Sequence, residues 1–437
     1  MLAKLFADHL NVVRERTDRA LRQHGHDSLA IFAGRAPPQF LDDQAYPFKP
    51  NPHFKHWVPL TDSAECWLLY RPNDRPTLLF FQPEDYWHQP GTVPNDFWTS
   101  SFQIEVIRDP SDARPHLAKL RNGAFVGEWH NEFSEWSTLH INPPAVLEQL
   151  HFARAYKTPY ELACMRQAST IGAKGHQAAE AAFRSGASEF DIHVEYVRAT
   201  QQSDNDLPYG NIVALNRHSA VLHYQHQERT RPERQLSFLI DAGASCRGYA
   251  SDITRTYAYG SGEFAELVSR VDSLQQELCS EVRAGVDYVD VHLSAHRKIA
   301  TALRDAGVIR SDIEGAVESG LTSVFFPHGV GHLIGLQVHD VSGFAIDESG
   351  TQRARPAGHP FLRLTRKLEP GFVVTIEPGI YFIDMLLREA RDKPLGKDIN
   401  WDRVEALHPY GGVRIEDDVV CTDGAPENLT RDAFAAH

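Results

Sequence analysis

The chain has no apolar run approaching the ~18 residues that a membrane-spanning helix needs. Its opening stretch, MLAKLFADHLNVVRERTDRAL, interrupts the apolar positions with Lys4, Asp8 and further charges, so the unbroken core of a secretory signal is missing too. Basic residues are in deficit: 44 Lys and Arg stand against 58 Asp and Glu. The resulting net charge of −14 argues against the Lys- and Arg-rich surface that nucleic acid requires. Cysteine is scarce. Cys66, Cys164, Cys246, Cys279 and Cys421 are odd in number and lack the close pairing of a zinc or redox motif. They read as reduced thiols, with Cys421 in the apolar run VVC acting as a small core hydrophobe. Short repeats and low-complexity tracts are absent as well. These absences point to a soluble, cytoplasmic protein with no membrane or nucleic-acid partner, acting on a small molecule or peptide.

What is present is enough apolar material, 42% of 437 residues, to bury the cores of two domains. Leu2, Phe6, Leu10, Val13 and Leu21 fall near one face of a 3.6-residue period, which predicts a helix over 2–23. The β-rich runs DSLAIFAG, ECWLLYRP, PTLLFFQP, FQIEVI and GAFVGEW follow, separated by Pro, Asp and Asn, as an α/β domain over 1–155 would have. Thr158, Pro159 and Glu161 form a helix-start signal, and the helical pattern then runs to about residue 202. Beyond it, strands NIVALN, QLSFLIDAG, YASDITRTYAYG, VVTIEPGIYF and GGVRIEDDVVCT are grouped around helical stretches. That order predicts an α+β domain over 156–437 with a largely antiparallel sheet. The segment TQRARPAGHPFLRLTRKLEPG reads as a long loop, and such loops are often functional.

Acids stand inside the apolar strands of this second domain: Asp241, Asp252, Glu377 and Glu416. Singly, each has a bland reading, as a turn residue or on an exposed sheet face. As a group they demand cations, because one unpartnered buried carboxylate costs several kcal/mol. The stretch FFPHGVGHLIGLQVHD lies between the second and third acids and supplies imidazole, which carboxylate-rich dinuclear sites commonly include. Four carboxylates and His332 suffice for two divalent ions if two carboxylates bridge, and the water between the ions then becomes a nucleophile near neutral pH. Gly329, Gly331 and Gly335 would let the backbone bend or approach closely here. Arg414 alternates with Glu416 and could hold a metal-binding carboxylate or a surface salt bridge.

IDAG at 240–243, SDITRTY at 251–257, FFPHGVGHLIGLQVHD, TIEPGIYF at 375–382 and VRIEDD at 413–418 resemble the pita-bread metallopeptidases. Within these, the prolidase family (Xaa-Pro dipeptidases), including organophosphorus acid anhydrolase-like variants, is the closest likeness, and it runs over essentially the whole chain. The resemblance implies a pita-bread (creatinase/aminopeptidase-like) α+β catalytic domain behind a smaller α/β domain. It implies Asp241 on one ion, His332 and Glu377 on the other, and Asp252 and Glu416 bridging; which metal is left open, the oxygen-rich donors leaning towards Mn2+ over zinc. It implies His339 and His223 facing the scissile carbonyl, and Glu377 also relaying a proton. His328 is left open between a supporting hydrogen-bonded residue and a direct role. Arg363 would receive the substrate's C-terminal carboxylate, with Arg366 as competitor. Tyr209 and Trp87 would line the pocket with aromatic surface. Asp43, in QFLDDQAYPFKPNPHF, would meet the substrate amine across a homodimer. Leu333 stands where some relatives carry a second histidine, which would alter pocket polarity.

The implied activity is hydrolysis of Xaa-Pro dipeptides by a metal-bridging hydroxide, with organophosphate triesters as a side substrate. The alternatives are aminopeptidase P-like cleavage of longer Xaa-Pro peptides and a non-catalytic peptide-binding module. Such modules typically lose the ligands, which this chain retains.

Overall fold

A computed structural model describes residues 2–87, 89 and 91–436. The chain divides into two compact units: residues 1–164 with 246–249 and 346–351, and the remainder.

In the first unit the helix Leu2–Gln23 buries Phe6, Leu10, Val13 and Leu21, the face its periodicity predicts. The sheet has strands at Ser28–Phe32, Trp67–Tyr70, Thr77–Phe81, Gln103–Ile107 and Gly123–Val126, as expected, and a sixth at His140–Ile141. That sixth strand is two residues long and exposed, too short to leave a periodic signal. Pairing is mixed: the first strand is antiparallel to the second and parallel to the fifth. Phe32, Trp67, Leu79, Phe125 and Phe133 form its core, each buried side chain of this size contributing roughly 2 kcal/mol. Thr158 and Glu161 make the expected helix start reciprocally. The Thr158 N–H donates to Glu161 Oε2 at 2.8 Å, and the Glu161 N–H donates to Thr158 Oγ1 at 3.4 Å.

The second unit carries antiparallel strand groups, with Ile212–Leu215, Ser237–Asp241 and Thr254–Ala258 in one and Val373–Ile376, Asp417–Val420 and Glu427–Asn428 in another. The helical pattern expected to run to residue 202 is two helices, Pro159–Arg184 and Glu189–Thr200. Gly186 at φ +85° turns the chain, and the Ser188 hydroxyl then caps the second helix by accepting the Asp191 N–H. Phe183, Tyr196, Val213, Phe238 and Ile240 pack these helices onto the sheet. The strands read as continuous through the acids are interrupted at them. Asp241 ends its strand, and Asp252, Glu377 and Glu416 lie between strand segments. A regular strand sends alternate side chains to opposite faces, so convergence on one point needs these breaks.

Candidate metal centre

Thr254 organises one side of the site. It pairs across the sheet with Asp241 and bridges to Glu416 on its other edge. Its hydroxyl donates to Glu416 Oε2 at 2.6 Å. On the opposite side, the histidine stretch lies along the Val373–Ile376 strand: the Thr375 N–H donates to His332 O, the Glu377 N–H to Val330 O, and the His332 N–H to Thr375 Oγ1. This ladder sets His332 beside Glu377. Gly331 is required there, since a Cβ would fall 2.0 Å from Thr375 O. At Gly329 a Cβ would crowd the backbone of Phe361 and Leu362 at 3.0 Å.

The five expected ligands converge. His332 Nε2 lies 3.5 Å from Asp252 Oδ2 and 3.8 Å from Glu377 Oε1. Donor atoms of Asp252, His332 and Glu416 all lie within 4.8 Å of one another. His332 Nδ1 donates to Leu333 O at 3.0 Å, which leaves the Nε2 lone pair aimed at the carboxylates. The Tyr209 hydroxyl sits 2.8 Å from Asp241 Oδ1 and 2.5 Å from Asp252 Oδ1. One phenol proton cannot serve both acids, so this pair needs a further positive charge.

The electrostatics say the same. Burial, together with Asp252, Glu377 and Asp241, pushes Glu416 well above the carboxylate range, and burial raises Glu377 to about 7 against the opposing pull of His332 and Arg414. Burial is the largest influence on Asp252 and would raise it, but His332, Tyr209 and His339 together outweigh it and hold that carboxyl low, while His332, which burial would lower, is raised by Asp252 and Glu377. The Arg414 fork donates to Asp241 Oδ2 at 2.7 Å and to the Tyr381 hydroxyl at 2.9 Å. It thus holds Asp241 and not its near neighbour Glu416, and it is buried, which removes the surface-salt-bridge reading. One arginine and one histidine leave four crowded carboxylates under-neutralised. Oxygen-rich donors with one nitrogen fit hard or borderline divalent cations.

A cavity of about 370 Å³ opens onto this cluster, lined among others by His223, His339 and Arg363. His339 stands perpendicular to His332 with ring centroids 4.4 Å apart. Desolvation, His332 and Arg363 lower its pKa to about 4, so it is a neutral imidazole at pH 7. Arg363 is exposed on the cavity, whereas Arg366 is buried, hydrogen-bonded to Ser342 Oγ and packed over Phe372. His328 lines the cavity with its ring nitrogens occupied by Gly329 O and the Tyr381 hydroxyl, both at 2.8 Å. That is a bracing arrangement. Leu333 is buried with its side chain off the cavity wall, so it does not set pocket polarity. Tyr209 acts through its hydroxyl on two acids instead of offering aromatic surface to the cavity. Asp43 and Trp87 belong to the first unit, and both are exposed.

Several working residues escaped the sequence reading. Tyr381 links Arg414 to His328, Asp418 Oδ2 accepts the Asp252 N–H at 3.0 Å, and Arg355 and Phe361 line the cavity. Glu189 is a fourth. Its carboxylate accepts from the Leu215 and Glu228 N–H groups, His218 Nδ1 and the Tyr224 hydroxyl, tying down the segment that carries Leu222 and His223. Asp418 had a visible signal, a second acid in an otherwise apolar strand; Glu189 had none, being one of many helix-start acids.

Residues 4–152 match the family model described as Xaa-Pro dipeptidase, N-terminal domain, and residues 163–423 match metallopeptidase family M24. The chain is 53% identical to a protein named Xaa-Pro dipeptidase from Xanthomonas campestris pv. campestris (strain B100), over 100% of this chain and 99% of the relative. It is 52% identical to the protein of the same name from Stenotrophomonas maltophilia (strain K279a), over 99% and 98%. Among solved structures, aminopeptidase P from E. coli with the inhibitor Pro-Leu superposes with a TM-score of 0.72 at 22% identity, covering 97% of this chain and 98% of that one. Aminopeptidase PepP of Pseudomonas aeruginosa does so with a TM-score of 0.72 at 21% identity, covering 98% of each. At such identities these two establish the fold, the pita-bread architecture. The whole-length sequence likeness goes further, and the chain belongs to metallopeptidase family M24, in the group with an N-terminal domain of the Xaa-Pro dipeptidase type.

Proposed function

We propose that the chain is a metal-dependent peptidase that hydrolyses Xaa-Pro dipeptides. The observation that carries this reading is the meeting of Asp241, Asp252, His332, Glu377 and Glu416 at the floor of a cavity that Arg363 also faces. In this reading Asp241, Asp252, His332, Glu377 and Glu416 would hold two divalent ions, and the oxygen-rich donor set would favour Mn2+. Divalent cations held there supply Lewis-acid charge and make water nucleophilic near neutral pH.

The chain's own groups do the rest. Arg363 receives the dipeptide carboxylate by charge-assisted hydrogen bonds and so sets the distance from the C-terminus to the cleaved bond. His339 and His223, on the cavity wall, donate to the carbonyl oxygen as it gains charge. Glu377 moves a proton on its carboxyl oxygen towards the leaving nitrogen. Arg414 fixes the Asp241 carboxylate in place and opposes the rise that burial imposes on its pKa. Asp43, from a second copy in a homodimer, meets the substrate amine, and Trp87 adds aromatic surface; Glu377, His339 and His223 are the catalytic groups. The cytoplasm is the compartment consistent with free cysteines. Hydrolysis of organophosphate triesters is a side activity of the same centre, since the activated water can attack phosphorus as it does a carbonyl.

The deciding experiment compares Ala-Pro with Ala-Pro-Ala on the manganese-loaded protein. A dipeptidase cleaves the first at the higher kcat/KM. Preference for the tripeptide moves the assignment to aminopeptidase P chemistry, and turnover of neither leaves a binding module.

A further inference from the structure

A second group of imidazoles stands apart from the carboxylates. His292 and His296 lie one turn apart on the helix Tyr288–Asp305, and His359 reaches them from the long loop, four residues before Arg363. Donor nitrogens of the three rings all lie within 4.8 Å of one another. The rings do not stack. His292 meets His296 at 90° and His359 at 89°, with centroids 4.6–4.7 Å apart, and His296 meets His359 at 64°. We propose that His292, His296 and His359 form an additional divalent-cation site, suited to Zn2+, that pins the substrate loop to the helix.

Hydrogen-bond bookkeeping supports this. His296 Nδ1 bonds to Thr322 Oγ1 at 2.9 Å; with that nitrogen donating, Nε2 is left as a lone pair. A metal-binding histidine commonly has its second nitrogen anchored in this way. His292 Nε2 and His359 Nδ1 are 2.9 Å apart, sharing one N–H, while His292 Nδ1 is buried and has no partner among the described residues. The group therefore contains an unsatisfied buried nitrogen and surplus lone pairs, the condition an ion relieves. His292 and His296 are buried, and His359 is partly open to solvent, which gives the ion a way in.

Among the described residues, the cluster of His9, His56 and Glu161 meets this condition only at His56 Nε2, which is buried without a hydrogen-bond partner 3.6 Å from Glu161 Oε1. His9 already uses Nδ1 on Thr158 Oγ1 and Nε2 on the His56 carbonyl, both at 2.8 Å, so it has no lone pair to give. An all-nitrogen set also differs in kind from the oxygen-rich centre. Imidazoles with an open fourth position select Zn2+, Ni2+ or Cu2+ over Mn2+.

The pinned segment bears Pro360, Phe361 and Arg363, all on the cavity wall. The inference stands independently of which peptide is cleaved. Protein saturated with Mn2+ is given Zn2+, and bound ions are counted by native mass spectrometry for the wild type, His359→Phe and His359→Ala. The wild type is expected to carry one zinc more than either variant, whatever the carboxylate centre holds. Zinc is also expected to slow backbone hydrogen exchange across 355–363 about tenfold in the wild type alone. Zinc-edge X-ray absorption of the wild type, which needs no variant, should show imidazole nitrogen as the ligand of that ion. Equal zinc in all three proteins, or a zinc ligated by oxygen only, overturns the proposal.

Discussion

Arg363 and Arg414 show how differently two arginines of one cavity act. Arg363 is exposed on the wall, free to meet a carboxylate. Losing charge-assisted hydrogen bonds of that kind costs roughly 1.5–3 kcal/mol. Arg363→Met should therefore raise KM for Ala-Pro by about 10- to 100-fold while leaving the protein's unfolding midpoint unchanged, and steady-state kinetics with a urea titration check both halves. Arg414 is buried, and its fork joins Asp241, Tyr381 and Thr254. Removing one partner from such a network leaves a buried acid without its counter-charge. Arg414→Met should destabilise the metal-free protein by about 3 kcal/mol, and Arg414→Lys should not restore it, because a point charge cannot fill three directions. Both residue types were legible in the sequence. Their partners were not, because Asp241 and Tyr381 lie 173 and 33 residues from Arg414.

Among the elements, the segment after the Ile212–Leu215 strand depends on a single carboxylate. Burial alone would raise Glu189, but its hydrogen bonds with His218, Leu215, Tyr224 and Glu228 outweigh that and hold it below the ordinary range. Its contribution is present above the unfolded carboxylate pKa, about 4.3, and is lost as pH falls through the lower folded value. For His218 the hydrogen bond to Glu189 outweighs burial and raises the pKa. That contribution is complete below about 6.5 and is lost as pH rises through the folded value. Glu189→Gln should thus cost the metal-free protein roughly 2 kcal/mol between about pH 5 and 6.5. The gap to wild type should narrow in acid and shrink part-way on the alkaline side, as thermal melts across pH would record. The variant should also loosen His223 and lower kcat/KM without touching any ligand.

Elements themselves were mostly readable. The first helix runs over the residues its periodicity marks, because an apolar stripe is a local property. The helical pattern after Pro159 reads through to about residue 202 because Gly186 and Ser188 are weak signals inside a strong pattern. The strand breaks at Asp252, Glu377 and Glu416 are weakly marked, because β-rich runs resume within a few residues on either side, and only Pro378-Gly379 after Glu377 is a local turn signal.

At the scale of the whole molecule, four crowded carboxylates, Asp252 and Glu416 buried and Asp241 and Glu377 partly so, are a standing cost that cations remove, so ion binding and folding are linked. Exhaustive chelation should lower the unfolding temperature by several degrees, and Mn2+ should restore it in the wild type but not fully in Asp252→Ala, by scanning calorimetry. No described helix is long and apolar enough to cross a membrane. The sequence by itself determined the donor types, their order along the chain, the family and most of the secondary structure. All of these follow from residue chemistry and local periodicity. Only the tertiary structure decided that Arg414 serves Asp241, that Tyr209 is a shared donor, that Glu189 holds the His223 segment and that three further imidazoles meet beside the loop. Each of these is a contact between residues far apart in sequence. Its energy depends on distance and burial, which no local pattern encodes.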